Sequence, residues 1–299
     1  MGITAAKKYK EESIMSFHET DRAQILAEAL PYIQQFSGET IVVKYDSAAV
    51  PQEMVDDVLS DITMLSLVGM RVVLVHGGRP EINAMLARLG MESRFEDGLR
   101  CTDKDTMSIV QQVLCGQVNK DLVTRLNWLG GGYAMGLSGL DGIIFEARQL
   151  DKKYGLVGSI SRVHATIVEA VLDKGCIPVV ASIASAVNGP GACNVDADTA
   201  ASKLAVALGA KKLIVLSGVR GLLQTPDDES SLIHELQLSS VPPLVREGVI
   251  AGEMARTVDC CVHAVRSGVG SAVILDGRMP HALLTELLTD AGVGTMLTH

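Results

Sequence analysis

Aromatic side chains are scarce: Phe, Trp and Tyr make up 3% of the 299 residues. The core must therefore be built from Val, Leu, Ile, Ala and Met, within a hydrophobic fraction of 47%. Basic charge is also short, with 26 Lys and Arg against 35 Asp and Glu and a net charge of −9. Nucleic-acid binders rest on basic surface, so that class is set aside. An anion site stays open, because backbone N–H groups and a few local cations decide it. No run reaches the roughly 18 apolar residues of a membrane span. The six cysteines (Cys101, Cys115, Cys176, Cys193, Cys260 and Cys261) form no Cys-x-x-Cys and no zinc spacing with His. They are expected to be reduced, buried thiols, and no metal ligands are expected. Residues 1–20 are polar, without an apolar signal core, and are expected to be a flexible lead-in to a cytoplasmic protein.

What is present is organised around "VVLVHGGRPEIN", residues 72–83. Four apolar residues make a buried strand, Gly77 and Gly78 a tight turn, and Pro80 opens a helix. Proline suits a first helical turn because the N–H it lacks has no partner there. Unpaired N–H groups and the helix dipole make such a turn an anion site. By itself the stretch equally suits an ordinary strand–turn–helix corner.

Apolar runs at 40–45, 71–75, 177–181, 212–216 and 271–275 lack alternation, as expected for strands covered on both faces. Short strands are also expected at 130–138, 142–147 and 157–159, and a hairpin arm at 95–101. Helical spacing marks 21–36, 52–68, 80–89, 105–128, 164–174, 197–208, 244–248, 255–267 and 281–289. Pro31 is expected to bend or divide the first helix. Alternating strands and helices predict an α/β fold with a mainly parallel sheet between two helical layers. A loop rich in Ala, Gly, Ser and Asn at 182–194 is expected to mark a soft boundary.

"VVKY", "VLVHGGRPEIN", "DGLRCTD", "VLCGQVNKDLV", "GLSGLDG", "GLVGSI", "IPVVASI", "NVDADTAASKLA" and "ILDGRMPHALLTELLTDAGVGTML" stand in this order along the chain. Together, over about residues 22–296, they resemble the amino-acid kinase family and, within it, the acetylglutamate-kinase branch. The resemblance implies an open, mainly parallel αβα sandwich with an N-terminal extra helix. It implies an oligomerisation helix at 21–37, an acyl-substrate and dimerisation lobe at 38–187, and an ATP lobe at 188–299. The implied reaction carries the γ-phosphoryl group of ATP, with Mg²⁺, to the side-chain carboxylate of N-acetyl-L-glutamate, a step of arginine synthesis. "ILAEALPYIQQF" resembles the arginine-sensitive, hexameric branch. That implies a homo-oligomer, an arginine effector near Tyr32 and residues 288–294, and the nitrogen-signalling PII protein as a partner.

The resemblance also assigns residues. Lys44, at a strand end, matches the cation on the transferring phosphoryl group. Read alone, it equally suits a lysine snorkelling to a sheet edge. Gly77 and Gly78 match the glycines whose N–H groups bind the substrate and the γ-phosphoryl group, and Arg79, at the third position of that turn, is placed with them as substrate-binding. Arg100 matches the arginine gripping the α-carboxylate, for which a planar fork is suited. Asn194 matches a substrate-binding asparagine, and Asp198 the aspartate that orients the catalytic lysines. Read alone, Asp198 is a first-turn acid favoured by the helix dipole. His76 is expected to be structural. Where the family has two glycines after the strand-end lysine, this chain has Asp46 and Ser47. The third turn glycine is Arg79. The ATP-side "LTD" is Leu216-Ser217-Gly218, and "GGMIPKV" is "GEMARTV", residues 252–258, so Met254 is kept and the second lysine is Thr257. Arg79 and Arg256 are candidates for replacement charge. A family member that has lost most catalysis and serves as a binding or regulatory subunit is the alternative.

Overall fold

Apolar runs that lack alternation form the centre of one sheet. The computed structural model describes residues 19–130, 133–225 and 228–299. Of the lead-in expected at 1–20, residues 1–18 lie outside the described residues, while 19 and 20 already belong to the first helix. In chain order the strands are β1 Thr40–Tyr45, β2 Arg71–His76, the hairpin β3 Phe95–Glu96 and β4 Leu99–Arg100, β5 Tyr133–Gly139, β6 Phe145–Gln149, β7 Gly158–Val163, β8 Cys176–Ala186, β9 Ala192–Asn194, β10 Lys212–Ser217, β11 Glu235–Gln237, β12 Ser271–Asp276 and β13 Thr295–Thr298. The α-helices are α1 Glu19–Phe36, α2 Val55–Leu67, α3 Arg79–Arg88, α4 Lys104–Gln111, α5 Asn119–Leu129, α6 Thr166–Leu172, α7 Ala197–Ala207, α8 Val241–Arg246, α9 Gly252–Arg266 and α10 Ala282–Leu288.

The main sheet runs β11-β13-β12-β10-β1-β2-β8-β6-β7, with β5 and β9 also paired to β8. The pairs of β1 with β10 and β2, of β10 with β12 and of β2 with β8 are all parallel. Antiparallel pairs enter through β13, β7 and β9. This is the expected α/β sandwich. Successive strand residues point to opposite faces, and both faces are covered. Val42, Val73, Val75, Leu213 and Val215 join the core on one side, beside Ala200, Leu204 and Val265. Ile41, Val43, Val72, Leu74, Ile214 and Leu216 join the core on the other, beside Leu59, Ile62 and Leu122.

Several expectations need correction. The loop expected at 182–194 is strand up to Ala186, because β8 runs on to pair with β6 and β9. Pro31 lies inside α1 without dividing it. Ala27, whose carbonyl loses its N–H partner, is exposed, so water can replace that bond. β11 and β13, of three and four residues, were too short to stand out as apolar runs. All six cysteines are free, but only Cys193 and Cys261 are buried. The helix expected at 105–128 is α4, a π-helical stretch Gln112–Val118 and α5 in succession. The π stretch carries Leu114 and Val118 against Gly78, where an added Cβ would lie 2.7 and 3.0 Å from their methyls.

One polar contact ties α2 to α10. Asp61, 1% exposed, accepts a 2.7 Å hydrogen bond from His281 Nδ1. That bond raises the His281 pKa above 6.5. A raised folded pKa contributes stability that is complete below the unfolded value and is lost as pH rises through the folded one. His281→Ala leaves the buried Asp61 carboxylate without this side-chain donor and is expected to cost about 2 kcal/mol. Urea unfolding of both proteins checks this. The stability gap is expected to narrow as pH rises above 6.5; a constant gap would remove charge from the explanation.

Candidate active site

The carboxyl ends of β1, β2 and β10 open onto a cleft of about 470 Å³, the place where open parallel sheets bind ligands. Lys44, Gly77, Gly78, Arg79, Arg100, Asn194, Asp198, Ser217, Gly218, Met254 and Thr257 all line it. Register explains the convergence: Lys44 on β1 lies beside Val75 on β2 and Val215 on β10. The turns after these strands therefore leave the sheet on one level.

Lys44 is 6% exposed. Its Nζ lies 2.7 Å from Asp198 Oδ1 and 2.8 Å from Asp46 Oδ2. Burial pushes the lysine's pKa down, but the fields of Asp198 and Asp46 outweigh it and hold the ammonium above its usual range. Burial pushes Asp46 up and Lys44 outweighs it, so Asp46 stays ionised below the usual carboxylate range. Asp46 also accepts from the Ala48 N–H. Asp198 stands in the first turn of α7, whose N-cap Asp196 accepts from the Thr199 N–H. Burial, then the charge of Asp198, raises the Asp196 pKa. The Thr257 hydroxyl donates to Asp198 Oδ2 at 2.6 Å. Asp198 thus holds one lysine and, where the resemblance implies a second, a hydroxyl.

The glycine turn is held from beneath. His76 is fully buried, with Nδ1 2.8 Å from the Gly77 carbonyl and Nε2 3.0 Å from Asn119 Nδ2. The neutral tautomer protonated at Nδ1 satisfies both contacts. Burial lowers its pKa to about 4, so the ring is neutral and its role structural, as expected. Leu114 and Val118 leave no room for a side chain at Gly78.

Arg100 is 6% exposed. It donates to Ser93 Oγ and, at 2.7 Å, to Asn83 Oδ1, and lies 4.7 Å over the Phe95 ring. Burial and then Arg79 lower its pKa to about 10, which still leaves it a cation. Asn194 donates to Thr102 Oγ1 at 3.2 Å, and Thr102 donates to the Arg100 carbonyl at 2.8 Å. Arg100 and Asn194 therefore belong to one wall.

Arg79 pairs across the cleft with Glu253 on α9 at 2.7 Å. Arg256 lies 3.8 Å from the same carboxylate oxygen and donates to the Asp97 carbonyl in the hairpin turn. Asn83, Ser93, Asp196 and Glu253 were not singled out in the sequence. Asn83 stands inside a recognisable motif, whereas Glu253 acquires meaning only beside Arg79, 174 residues away.

The amino acid kinase family matches residues 39–276. Acetylglutamate kinase of Synechococcus elongatus is 49% identical over 279 residues, 93% of this chain and 92% of the relative. Acetylglutamate kinase of Prochlorococcus marinus is 50% identical over 280 residues, 92% and 90% of the two chains. Among solved structures, N-acetylglutamate synthase from Neisseria gonorrhoeae, complexed with coenzyme A and N-acetyl-glutamate, superposes with a TM-score of 0.81 at 28% identity. That match covers 93% of this chain but 63% of the synthase chain. Carbamate kinase from Giardia lamblia shares the fold at a TM-score of 0.63 and 16% identity, over 87% of this chain and 98% of that one. With the sheet, the cleft and a match over residues 39–276 in agreement, the chain belongs to the amino acid kinase family.

Proposed function

We propose that the chain is an acetylglutamate kinase, transferring the γ-phosphoryl group of ATP to the side-chain carboxylate of N-acetyl-L-glutamate in the cytoplasm. The observation that carries this reading is Lys44, held by Asp198 and lining one cleft with Arg100, in a chain about half identical to curated acetylglutamate kinases. In this reading 38–187 bind the acyl substrate and 188–299 the nucleotide. Arg100 takes the α-carboxylate in its planar fork, and Asn194 binds beside it. Gly77 and Gly78 offer backbone N–H groups, and Lys44 neutralises the transferring phosphoryl group. Ser217, Gly218 and Met254 line the nucleotide side. Among the described residues no group of three or more His, Cys, Asp or Glu is arranged to hold a metal. In this reading Mg²⁺ is carried by the nucleotide phosphates. Catalysis here is charge neutralisation and in-line positioning of two anions.

Asp46 opposes this chemistry, because its carboxylate already holds the Lys44 ammonium. That contact, with the neutral Thr257, favours the second reading, a binding or regulatory subunit with little turnover.

α1 leaves Ile25, Leu26 and Leu30 more than half exposed. This supports a homo-oligomer in which α1 packs on another copy. At its foot, Lys212 and Glu286 form a buried 3.0 Å ion pair, and the Asp290 carboxylate near Tyr32 raises the phenol's pKa. Such carboxylates suit a guanidinium, which supports an arginine effector there. The PII protein belongs to the same proposal as a partner of the assembly.

Three measurements test these readings. ADP release with Mg²⁺-ATP should depend on N-acetyl-L-glutamate and fall about 10²–10³-fold in Lys44→Ala; no excess over that variant overturns the kinase. Asp46→Gly should lower the KM for ATP by freeing the Lys44 ammonium, and an unchanged KM would show that Asp46 does not compete. Leu26→Asp should shift the sizing profile toward smaller species; an unchanged profile removes α1 from the interface.

A further inference from the structure

Glu253 is the most exposed carboxylate of the cleft's ion pairs, at 72% of its side chain, yet one of its oxygens lies 2.7 Å from Arg79 and 3.8 Å from Arg256. Two guanidinium groups around one oxyanion form a cradle for an anion. The cradle stands beside the reacting centre. Arg79 lies 5.8 Å over the Phe95 ring that Arg100 faces at 4.7 Å, and lines the same cleft as Lys44 and Asp46. Arg79 thus stands next to Arg100 in the cleft that holds Lys44. The other cations are committed: Lys44 to two buried or half-buried carboxylates, and Arg100 to Asn83, Ser93 and the Phe95 face. Exposed ion pairs contribute little and are displaced easily.

We infer that Glu253 is a placeholder, and that Arg79 and Arg256 receive the terminal phosphoryl oxygens of a nucleoside triphosphate when Glu253 leaves. The site rests on the kinase reading for its ligand and supplies the charge that Thr257 lacks. Arg256 also donates to the Asp97 carbonyl of the β3–β4 turn, which Lys153 and Tyr154 hold through the Asp97 carboxylate. Filling the cradle therefore acts on the hairpin that carries Arg100.

Calorimetry with Mg²⁺-AMP-PNP and Mg²⁺-ADP tests the cradle without turnover. Arg79→Ala should weaken AMP-PNP binding about tenfold or more and leave ADP nearly unchanged. Arg79→Lys should recover part of the loss, which a folding defect would not. Glu253→Gln should tighten AMP-PNP about fivefold. In kinetics, kcat of Arg79→Ala should fall about 10²-fold. Unchanged AMP-PNP affinity in Arg79→Ala and Glu253→Gln overturns the cradle. A wild type that binds AMP-PNP through Arg79 but releases no ADP keeps the cradle and overturns the kinase. Full turnover with Arg79→Ala unchanged does the reverse, and a wild type that binds neither nucleotide overturns both.

Discussion

The ammonium of Lys44 is a buried charge, and the rest of the site is arranged around keeping it one. Removing an ion from water is costly unless oppositely charged groups and hydrogen bonds surround it. Asp198 supplies one partner because α7 begins where β9 ends, its first turn directed back across β1. Asp46 supplies the other from the turn that follows β1 itself. Thr257 completes Asp198 from α9. Two carboxylates, one local and one 154 residues on, thus meet on one nitrogen, with Thr257 behind the second, and their placement depends on the parallel register of β1 between β2 and β10.

The positions where the resemblance implies other residues are tied to neighbours by contacts. Asp46 binds Lys44, Ser47 donates to Glu81 at 2.8 Å, Arg79 pairs with Glu253, and Thr257 donates to Asp198. Each of these charges and hydroxyls has its own partner, so none is left unpaired in the cleft.

How much of this was legible depended on distance along the chain. The central strands were visible because burial on both faces writes itself as an uninterrupted apolar run. Lys44, Gly77 and Arg100 were visible because each stands in a motif a few residues long. The continuation of β8 past Ala181 was not, since Ser182, Ala184, Ser185 and Ala186 resemble a loop until β6 and β9 supply partners. Asp61 with His281 and Arg79 with Glu253 were hidden for another reason. Their partners lie 220 and 174 residues apart, and opposite charge alone selects no pair at that separation.

The cleft is close to neutral although the chain carries −9 overall. Lys44, Arg79, Arg100 and Arg256 line it with Asp46, Asp196, Asp198 and Glu253. Lys44, Arg79 and Arg256 already hold carboxylates, so an anion arriving at them must replace one, whereas Arg100 bonds only neutral partners. Exposure ranks which one yields. The Glu253 side chain is 72% exposed, Asp46 33% and Asp198 11%. A carboxylate near water regains its solvation on leaving, whereas a buried one does not. Glu253 is displaced first, Asp46 at greater cost, and Asp198 stays. In that order the negative charge of a phosphate is accepted at the rim before it meets Lys44, and the carboxylate that stays is the most buried of these three.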